Sequence, residues 1–301
     1  MEFHYVRPKM LNFVSFPSAY AHIKKGTVSL LLKEEYKDLL LQMGIEGLES
    51  FLKRHGQTSP HLVGRTPHFS VPLEDGKKMV IRRYSHGGWL RFFTRDLYFS
   101  GSRSFQELCL TEEIRSAGIS TVQPIGAIHR RVFFLFYKAY FLSLEIPEAE
   151  DSSQFLLRIG FRPTQEDLLK KRETIRSAGR LVQRFHKSGF FHRDLQLKNI
   201  LVAENQPYLI DFDRSYRKEI LPLKKRIHNL LRLNRSVEKW RSLGLPLTKT
   251  DRWRFFRAYS ADDPQIREVL RSALPTYSVH FFFHQCFWKL SEVLTGRNLA
   301  G

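Results

Sequence analysis

The stretch Gly189-Phe190-Phe191-His192-Arg193-Asp194-Leu195-Gln196-Leu197-Lys198-Asn199-Ile200-Leu201-Val202, followed after a short turn by Tyr208-Leu209-Ile210-Asp211-Phe212-Asp213, decides how this chain is read. It sets three oxygen-bearing side chains at fixed positions around two apolar runs: Asp194 and Asn199 before the first, Asp211 at the end of the second. Transfer of a nucleotide γ-phosphoryl group asks little covalent chemistry of a protein. It needs an oriented acceptor hydroxyl and phosphates neutralised by metal. Asp194 suits the first task, as acceptor of the hydroxyl proton, and Asn199 and Asp211 suit the second, as oxygen ligands of Mg²⁺. The alternative is a buried hairpin with incidental carboxylates; several fixed positions and a second strand ending in Ile-Asp-Phe weigh against it.

The spacing H-R-D-L-x-x-x-N, then a strand, a polar turn and D-F-x, resembles the catalytic loop and metal-binding segment of the protein-kinase-like superfamily. Upstream, Thr164-Gln165-Glu166-Asp167 reads as a helix start, and the apolar periodicity of Leu168, Ile175, Ala178, Leu181, Val182 and Phe185 carries that helix to a Ser188-Gly189 stop. His186 near its end reads as a satisfied core histidine, and His192 as a residue that holds the loop. Downstream, a protein kinase would continue into a long activation segment ending in Ala-Pro-Glu. Here Arg214-Ser215-Tyr216-Arg217 leads instead into a basic helical stretch over 221–240. A peptide hydroxyl in an activation-loop groove is therefore a poor candidate acceptor.

In that stretch Ile227, Leu230, Leu231, Leu233, Val237 and Trp240 interleave with Lys224, Lys225, Arg226, His228, Arg232, Arg235, Lys239 and Arg241. The pattern predicts an apolar stripe on the fold and cations facing outward, either as a solvated face or toward an anionic partner. The aromatic runs Trp253-Arg254-Phe255-Phe256-Arg257 and His280-Phe281-Phe282-Phe283-His284 to Phe287-Trp288 suit core packing or insertion at a lipid headgroup layer.

Toward the N-terminus the period changes to strands. His68-Phe69-Ser70-Val71-Pro72-Leu73, a Glu74-Asp75-Gly76 turn and residues 77–84 predict a hairpin. Its second strand puts Val80 and Arg82 on one face, Ile81 and Arg83 on the other. Kinases carry a phosphate-binding Lys after Val-Ala-Ile, paired with a helix Glu; here Arg82 takes that position, with Arg83 as second choice. A helix over 104–117, with Phe105, Leu108, Leu110 and Ile114 as its buried stripe and Gly118 as its stop, offers Glu107 as the partner of Arg82. No G-x-G-x-x-G loop precedes the hairpin: Gly64-Arg65-Thr66-Pro67 has one glycine, and Ser85-His86-Gly87-Gly88 follows the strand. Strands over 122–128 and 132–144 lead to Glu145-Ile146-Pro147-Glu148-Ala149, where a hinge is expected. Residues 1–60 are expected to carry one helix, over 33–54, which Gly44 and Gly47 would break in two.

The 301 residues suffice for two lobes and a sizeable core. Lys and Arg number 49 against 30 Asp and Glu, a net charge of +19 that favours an anionic partner: nucleic acid, a lipid surface or a polyphosphorylated substrate. Only Cys109 and Cys286 are present, which argues against a disulfide scaffold or a zinc site and for a reducing compartment. Met1-Glu2-Phe3-His4-Tyr5-Val6-Arg7 lacks the order of a secretory signal, and no run approaches the ~20 apolar residues of a membrane span.

Taken together, Val80-Ile81-Arg82-Arg83-Tyr84 with Gly87-Gly88, Phe105-Gln106-Glu107-Leu108, Glu145-Ile146-Pro147, the Asp194–Asn199 loop, Leu209-Ile210-Asp211-Phe212-Asp213-Arg214 and Asn229-Leu230-Leu231-Arg232-Leu233 resemble the bacterial lipopolysaccharide kinases, in the 3-deoxy-D-manno-octulosonic acid (Kdo) kinase branch. The resemblance implies an α+β, two-lobed protein-kinase-like fold with a small β-rich N-lobe and a larger helical C-lobe. Residues 1–60 would be an extension packed on the N-lobe, 61–145 the N-lobe, and 146–301 the C-lobe with basic and aromatic C-terminal helices. It implies ATP and Mg²⁺ as cofactors, Asp194 as catalytic base, Arg82, Glu107, Asn199 and Asp211 at the nucleotide, and Asn199 and Asp211 on the metal. The acceptor would be lipid A-linked Kdo at the cytoplasmic face of the inner membrane, with an anionic membrane surface and no nucleic acid as partner. A soluble small-molecule or protein kinase of the same superfamily, and a basic pseudokinase binding module, are the alternatives.

Overall fold

A computed structural model describes residues 16–58, 69–85, 96–99, 101–133 and 136–269. Gly64, Gly87, Gly88, Cys286 and the aromatic run 280–288 lie outside the described residues. The chain divides into two compact units. One holds the chain up to Ala149 together with Leu209–Tyr216, and the other holds Glu150–Tyr208 together with the chain from Arg217. The first is rich in sheet, and helices dominate the second. This is the mixed α+β architecture expected from the sequence.

The first unit is built on an antiparallel sheet of eight strands: β1 (Tyr20–Lys25), β2 (Val28–Lys33), β3 (Gln57–Thr58), β4 (Phe69–Pro72), β5 (Lys78–Arg83), β6 (Tyr98–Phe99), β7 (Pro124–Phe133) and β8 (Phe136–Leu144). Their spatial order is β1-β2-β7-β8-β5-β4-β3, with β6 also on β8. Helices α1 (Glu34–Gln42), α2 (Leu48–His55) and α3 (Arg103–Ser116) complete it. Successive strand residues face opposite sides, and both sides are covered. Leu30, Leu32, Met79, Ile81, Tyr140 and Leu142 join Tyr36 and Leu40 of α1 and Leu48 and Phe51 of α2 in one buried cluster. Leu31, Tyr84, Ala139 and Phe141 join Phe105 and Leu108 of α3 in another. That parity carries Arg82 to the α3 face, between Ile81 and Arg83 of the other parity.

Three expectations change. Residues 1–60 hold more than one helix: β1 and β2 form a hairpin that extends the sheet by pairing β2 with β7. The helix over 33–54 breaks into α1 and α2 at Gly44 and Gly47, as expected, with Gly44 at φ +81°. Strand β7 runs on to Phe133 instead of stopping at 128, and pairs Arg130 with Lys138 and Arg131 with Tyr137 of β8. In α3, Leu110 is only half-buried, and Ser104, Glu107, Cys109 and Thr111 are buried instead.

In the second unit, β9 (Glu150–Asp151) enters α4 (Ser152–Ile159), capped by Asp151 and Gln154 in a reciprocal box. Helix α5 (Gln165–Lys187) starts at Thr164 with its own box to Asp167. Strand β10 (Phe190–Phe191) leads into the Asp194 loop, and β11 (Ile200–Ala203) lies between β9 and β12 (Gln206–Leu209). Helix α6 (Leu223–Ser242) buries Asn229, Leu230, Leu233 and Val237 and exposes Lys224, Lys225 and Lys239, while Arg226 turns inward to Asp263. Helix α7 (Lys249–Tyr259) crosses α5 at Gly179, where a Cβ would come within 2.5 Å of the Phe255 carbonyl. The buried Lys171 of α5 ties this corner together, donating to the Pro246 carbonyl at 2.6 Å and pairing with Asp251 at 2.9 Å.

Candidate active site

The site residues read from the sequence fall into two groups, one in each unit. In the first, Arg82 of β5 reaches Glu107 of α3, with Nη2 at 2.5 and 2.6 Å from the two carboxylate oxygens, while Nη1 donates to Asp211 Oδ1 at 2.6 Å. Arg83, of opposite parity, pairs with Asp96 instead. Glu107 also accepts from the Tyr84 hydroxyl and from the Phe212 backbone N–H, the latter at 3.1 Å. Only 2% of its side chain is exposed, so its charge depends on these three donors. Burial pushes the carboxyl up to about 7, and Arg82 and the Tyr84 hydroxyl oppose that rise. The same burial raises the Tyr84 hydroxyl well above its ordinary range and keeps it a donor. The Arg82 guanidinium lies over the Tyr84 ring at 4.8 Å and the Phe141 ring at 5.6 Å, and its Nη1 and Nη2 donate to carboxylates.

Asp211 adopts φ +65°, a left-handed conformation that Asp tolerates better than most residues, and Arg214 repeats it at +57°. Between them Asp213 accepts from Arg103 Nε at 2.9 Å and from Arg103 Nη2. Arg103 in turn lies over the Tyr98 ring at 4.5 Å. Sequence reasoning missed this pair. The available signal was Asp213 itself, a second carboxylate where kinases carry the glycine of D-F-G and one that calls for a cation.

The second group is the loop after β10. Asp194 N–H donates to His192 Nδ1 at 3.1 Å, and Asn199 Nδ2 donates to the Asp194 carbonyl at 2.8 Å. The Asn199 amide nitrogen is thus spent inside the loop, and Oδ1 is the atom left to serve as an oxygen ligand. The loop is anchored from below by Asn229 of α6, whose Nδ2 donates to the His192 carbonyl at 2.7 Å and whose Oδ1 accepts from the His192 N–H at 3.0 Å. His186 extends that anchor. Its Nε2 lies 3.1 Å from Asn229 Oδ1, and its Nδ1 lies 2.8 Å from the Tyr259 hydroxyl, which accepts from Arg226 Nε. Because Asn229 Oδ1 can only accept, Nε2 carries the proton and Nδ1 receives the Tyr259 hydroxyl. Burial lowers this imidazole to about 3 and keeps it neutral. His186 is thus the satisfied core histidine expected, and His192 holds the loop, as expected; the link from His186 through Asn229 to the loop was not foreseen.

A further contact was not foreseen. Arg232 of α6 donates from both Nε, at 2.8 Å, and Nη2 to Asp194 Oδ1, while Gln196 Nε2 donates to Oδ2 at 3.2 Å. No spacing rule relates positions 194 and 232; the contact arises from packing α6 against the loop. The structure thus brings Arg82, Glu107 and Asp211 together in one unit, and Asp194 and Asn199 together in the other.

Comparison with known proteins agrees with this reading. Residues 51–259 match the model of the lipopolysaccharide kinase (Kdo/WaaP) family. A 3-deoxy-D-manno-octulosonic acid kinase of Pasteurella multocida is 30% identical over 200 residues, covering 63% of this chain and 79% of the relative. Another, of Vibrio cholerae, is 31% identical over 194 residues, covering 63% and 77%. Among solved structures, WaaP in complex with acyl carrier protein superposes with a TM-score of 0.57 at 21% identity, over 84% of this chain and 97% of WaaP, which supports the kinase-like fold. With a family match across most of both units and the H-R-D-L-x-x-x-N and D-F-D segments in place, this chain belongs to the lipopolysaccharide kinase (Kdo/WaaP) family and is a phosphotransferase.

Proposed function

We propose that this chain transfers the γ-phosphoryl group of ATP to a hydroxyl of Kdo in lipid A-linked inner core, at the cytoplasmic face of the inner membrane. The observation that carries the reading is Arg82, forked between the buried Glu107 and Asp211. A guanidinium held by a buried carboxylate next to an aspartate of the metal-binding type is a fixed phosphate clamp. Asp194 takes the acceptor proton as the oxygen forms its bond to the γ-phosphorus. The bond from phosphorus to the β–γ bridging oxygen breaks, and ADP leaves with that electron pair. The hard oxygen donors Asn199 Oδ1 and the Asp211 carboxylate fit Mg²⁺. Such an ion supplies charge neutralisation of the β- and γ-phosphates.

The names of the Pasteurella and Vibrio relatives support Kdo as acceptor. One feature favours an interfacial site of action. The end of the β7–β8 hairpin exposes Val132, Phe133 and Phe136, with Phe99 of β6 edge-on to Phe136 at 5.7 Å; Phe99 and Phe133 are each 65% exposed. Apolar side chains beside Arg130, Arg131 and Lys138 suit a layer of anionic headgroups.

The test is phosphate transfer from labelled ATP to Kdo-lipid A, set beside soluble sugars and basic proteins. Labelling of Kdo-lipid A that disappears in Asp194→Ala supports the reading. Labelling of a soluble acceptor alone overturns it in favour of a soluble kinase, and absence of Mg²⁺-dependent nucleotide binding would make the chain a binding module.

A further inference from the structure

Arg232 of α6 touches the Asp194 side chain. It uses one edge of its guanidinium to do so, Nε and one N–H of Nη2, both on Oδ1. Its remaining N–H groups, on Nη1 and the second of Nη2, make no hydrogen bond to a described residue. Guanidinium donors in that second, planar fork match a planar anion. Arg232 and Asp194 are each 38% exposed, whereas Glu107 in the Arg82 pair is sealed at 2%. The Arg232 edge is therefore within reach of a ligand.

Arg232 also sits within a concentration of positive charge. His228, one turn before it on α6, is held below its ordinary value by partial burial and then by Lys225, Arg232, Arg235 and Arg193 around it. Lys225 lies 5.6 Å over the Phe191 ring, immediately before the Asp194 loop. Four cations from α6 and the loop thus surround His228, and one of them, Arg232, lies directly on the carboxylate that would act as base.

Building on the Kdo reading above, we propose that Arg232 forms the subsite for the carboxylate of a sugar-acid acceptor. One edge of its guanidinium fixes Asp194 Oδ1, and the other takes the acceptor's carboxylate, so the same cation that recognises the anion brings a neighbouring hydroxyl to the base. Arg193, Arg235 and Lys225 supply the surrounding field. A neutral sugar offers that second edge nothing and is bound without register against Asp194. Specificity for an acidic sugar is then built into the catalytic loop itself.

The experiment compares Kdo-lipid A with its carboxyl methyl ester, which keeps the lipid A phosphates, using ATP and the wild-type, Arg232→Gln and Arg232→Lys chains. The wild type should lose about 100-fold or more in kcat/KM on esterification, within the range that loss of one partner of a hydrogen-bonded charge pair produces. Arg232→Gln should fall by a similar factor on the free acid and be indifferent to esterification. Arg232→Lys, which keeps charge without the fork, should recover part of the loss, mostly in KM. A structural role alone would lower both acceptors equally and leave the ester effect intact in Arg232→Gln; that outcome overturns the proposal, as does a wild type indifferent to esterification. If the lipid A phosphates were the anion recognised, Arg232→Gln would weaken both acceptors alike, which also overturns it. Should Arg232→Gln fail to fold, the ester comparison in the wild type and in Arg232→Lys decides. A wild type that binds ATP and phosphorylates neither acceptor shows that the Kdo reading itself has failed, and this inference with it.

Discussion

Glu107 is the residue on which the first group depends. It is the buried acceptor for Arg82, Tyr84 and Phe212 at once, and no other carboxylate pairs with Arg82 except Asp211 among the described residues. Removing one member of a buried ion pair strands the other, which costs about 3–5 kcal/mol. Glu107→Ala should therefore lower the urea midpoint of unfolding with little change in slope, and should weaken nucleotide binding as Arg82 loses its tether. Arg82→Lys should fold, because it keeps the charge, yet lose on the order of 10–100-fold in transfer, because an ammonium cannot fork between Glu107 and Asp211. His186 gives a pH signature. Its folded value of about 3 lies below the ordinary 6.5, so the neutral ring is favoured in the folded chain. Its contribution to stability is fully present above pH 6.5 and is lost as pH falls from there toward 3. Urea unfolding in that window should show a shallower pH dependence for His186→Gln than for the wild type. Equal slopes would mean that the ring is not buried neutral.

At the scale of elements, the crossing of α5 and α7 is the most sensitive joint. A Cβ at Gly179 would meet the Phe255 carbonyl at 2.5 Å and the Ala258 Cβ at 3.0 Å. Gly179→Ala should thus push the helices apart and cost about 1–3 kcal/mol, read as a lowered Tm. Activity should fall too, since Tyr259 at the end of α7 orients His186, which shares Asn229 with the Asp194 loop. Gly189 is as constrained: it has φ +86°, and a Cβ there would lie 1.9 Å from the Lys218 carbonyl. The sequence made these elements legible to unequal degrees. α5 was readable because a Thr-x-x-Asp start, helical periodicity and a Ser-Gly stop agree. The β1–β2 hairpin was not, because Leu30, Leu31 and Leu32 are all fully buried, one parity on each face of the sheet. A run buried on both faces loses alternation and, beside Glu34-Glu35-Tyr36-Lys37, blends into the helix that follows. Helix α4 could have been found from Asp151-x-x-Gln154, a capping box at its start. Arg82 rather than Arg83 followed from its match to the kinase lysine position, whereas Arg103 on Asp213 and Arg232 on Asp194 join distant positions that only tertiary packing brings together.

For the whole molecule, the question raised by a charge of +19 is how much of any membrane affinity is electrostatic and how much is insertion. The two respond differently to salt. Attraction of surface Lys and Arg to anionic headgroups is worth about 1 kcal/mol per residue and is screened over a Debye length of roughly 8 Å at physiological salt. Burial of an exposed aromatic is worth about 1.5–3 kcal/mol and is not screened. Binding to vesicles containing phosphatidylglycerol should therefore fall more than tenfold between about 0.05 and about 0.5 M salt, while binding to purely zwitterionic vesicles stays weak throughout. Phe133→Ser, at the exposed end of the β7–β8 hairpin, should lower affinity for the anionic vesicles by roughly tenfold at every salt concentration, displacing the curve without altering its slope. Lys224→Gln with Lys239→Gln on the exposed face of α6 should do the reverse and flatten the slope. If Phe133→Ser alters nothing at high salt, the hairpin end does not enter the headgroup layer, and attraction through the basic surface accounts for the binding by itself.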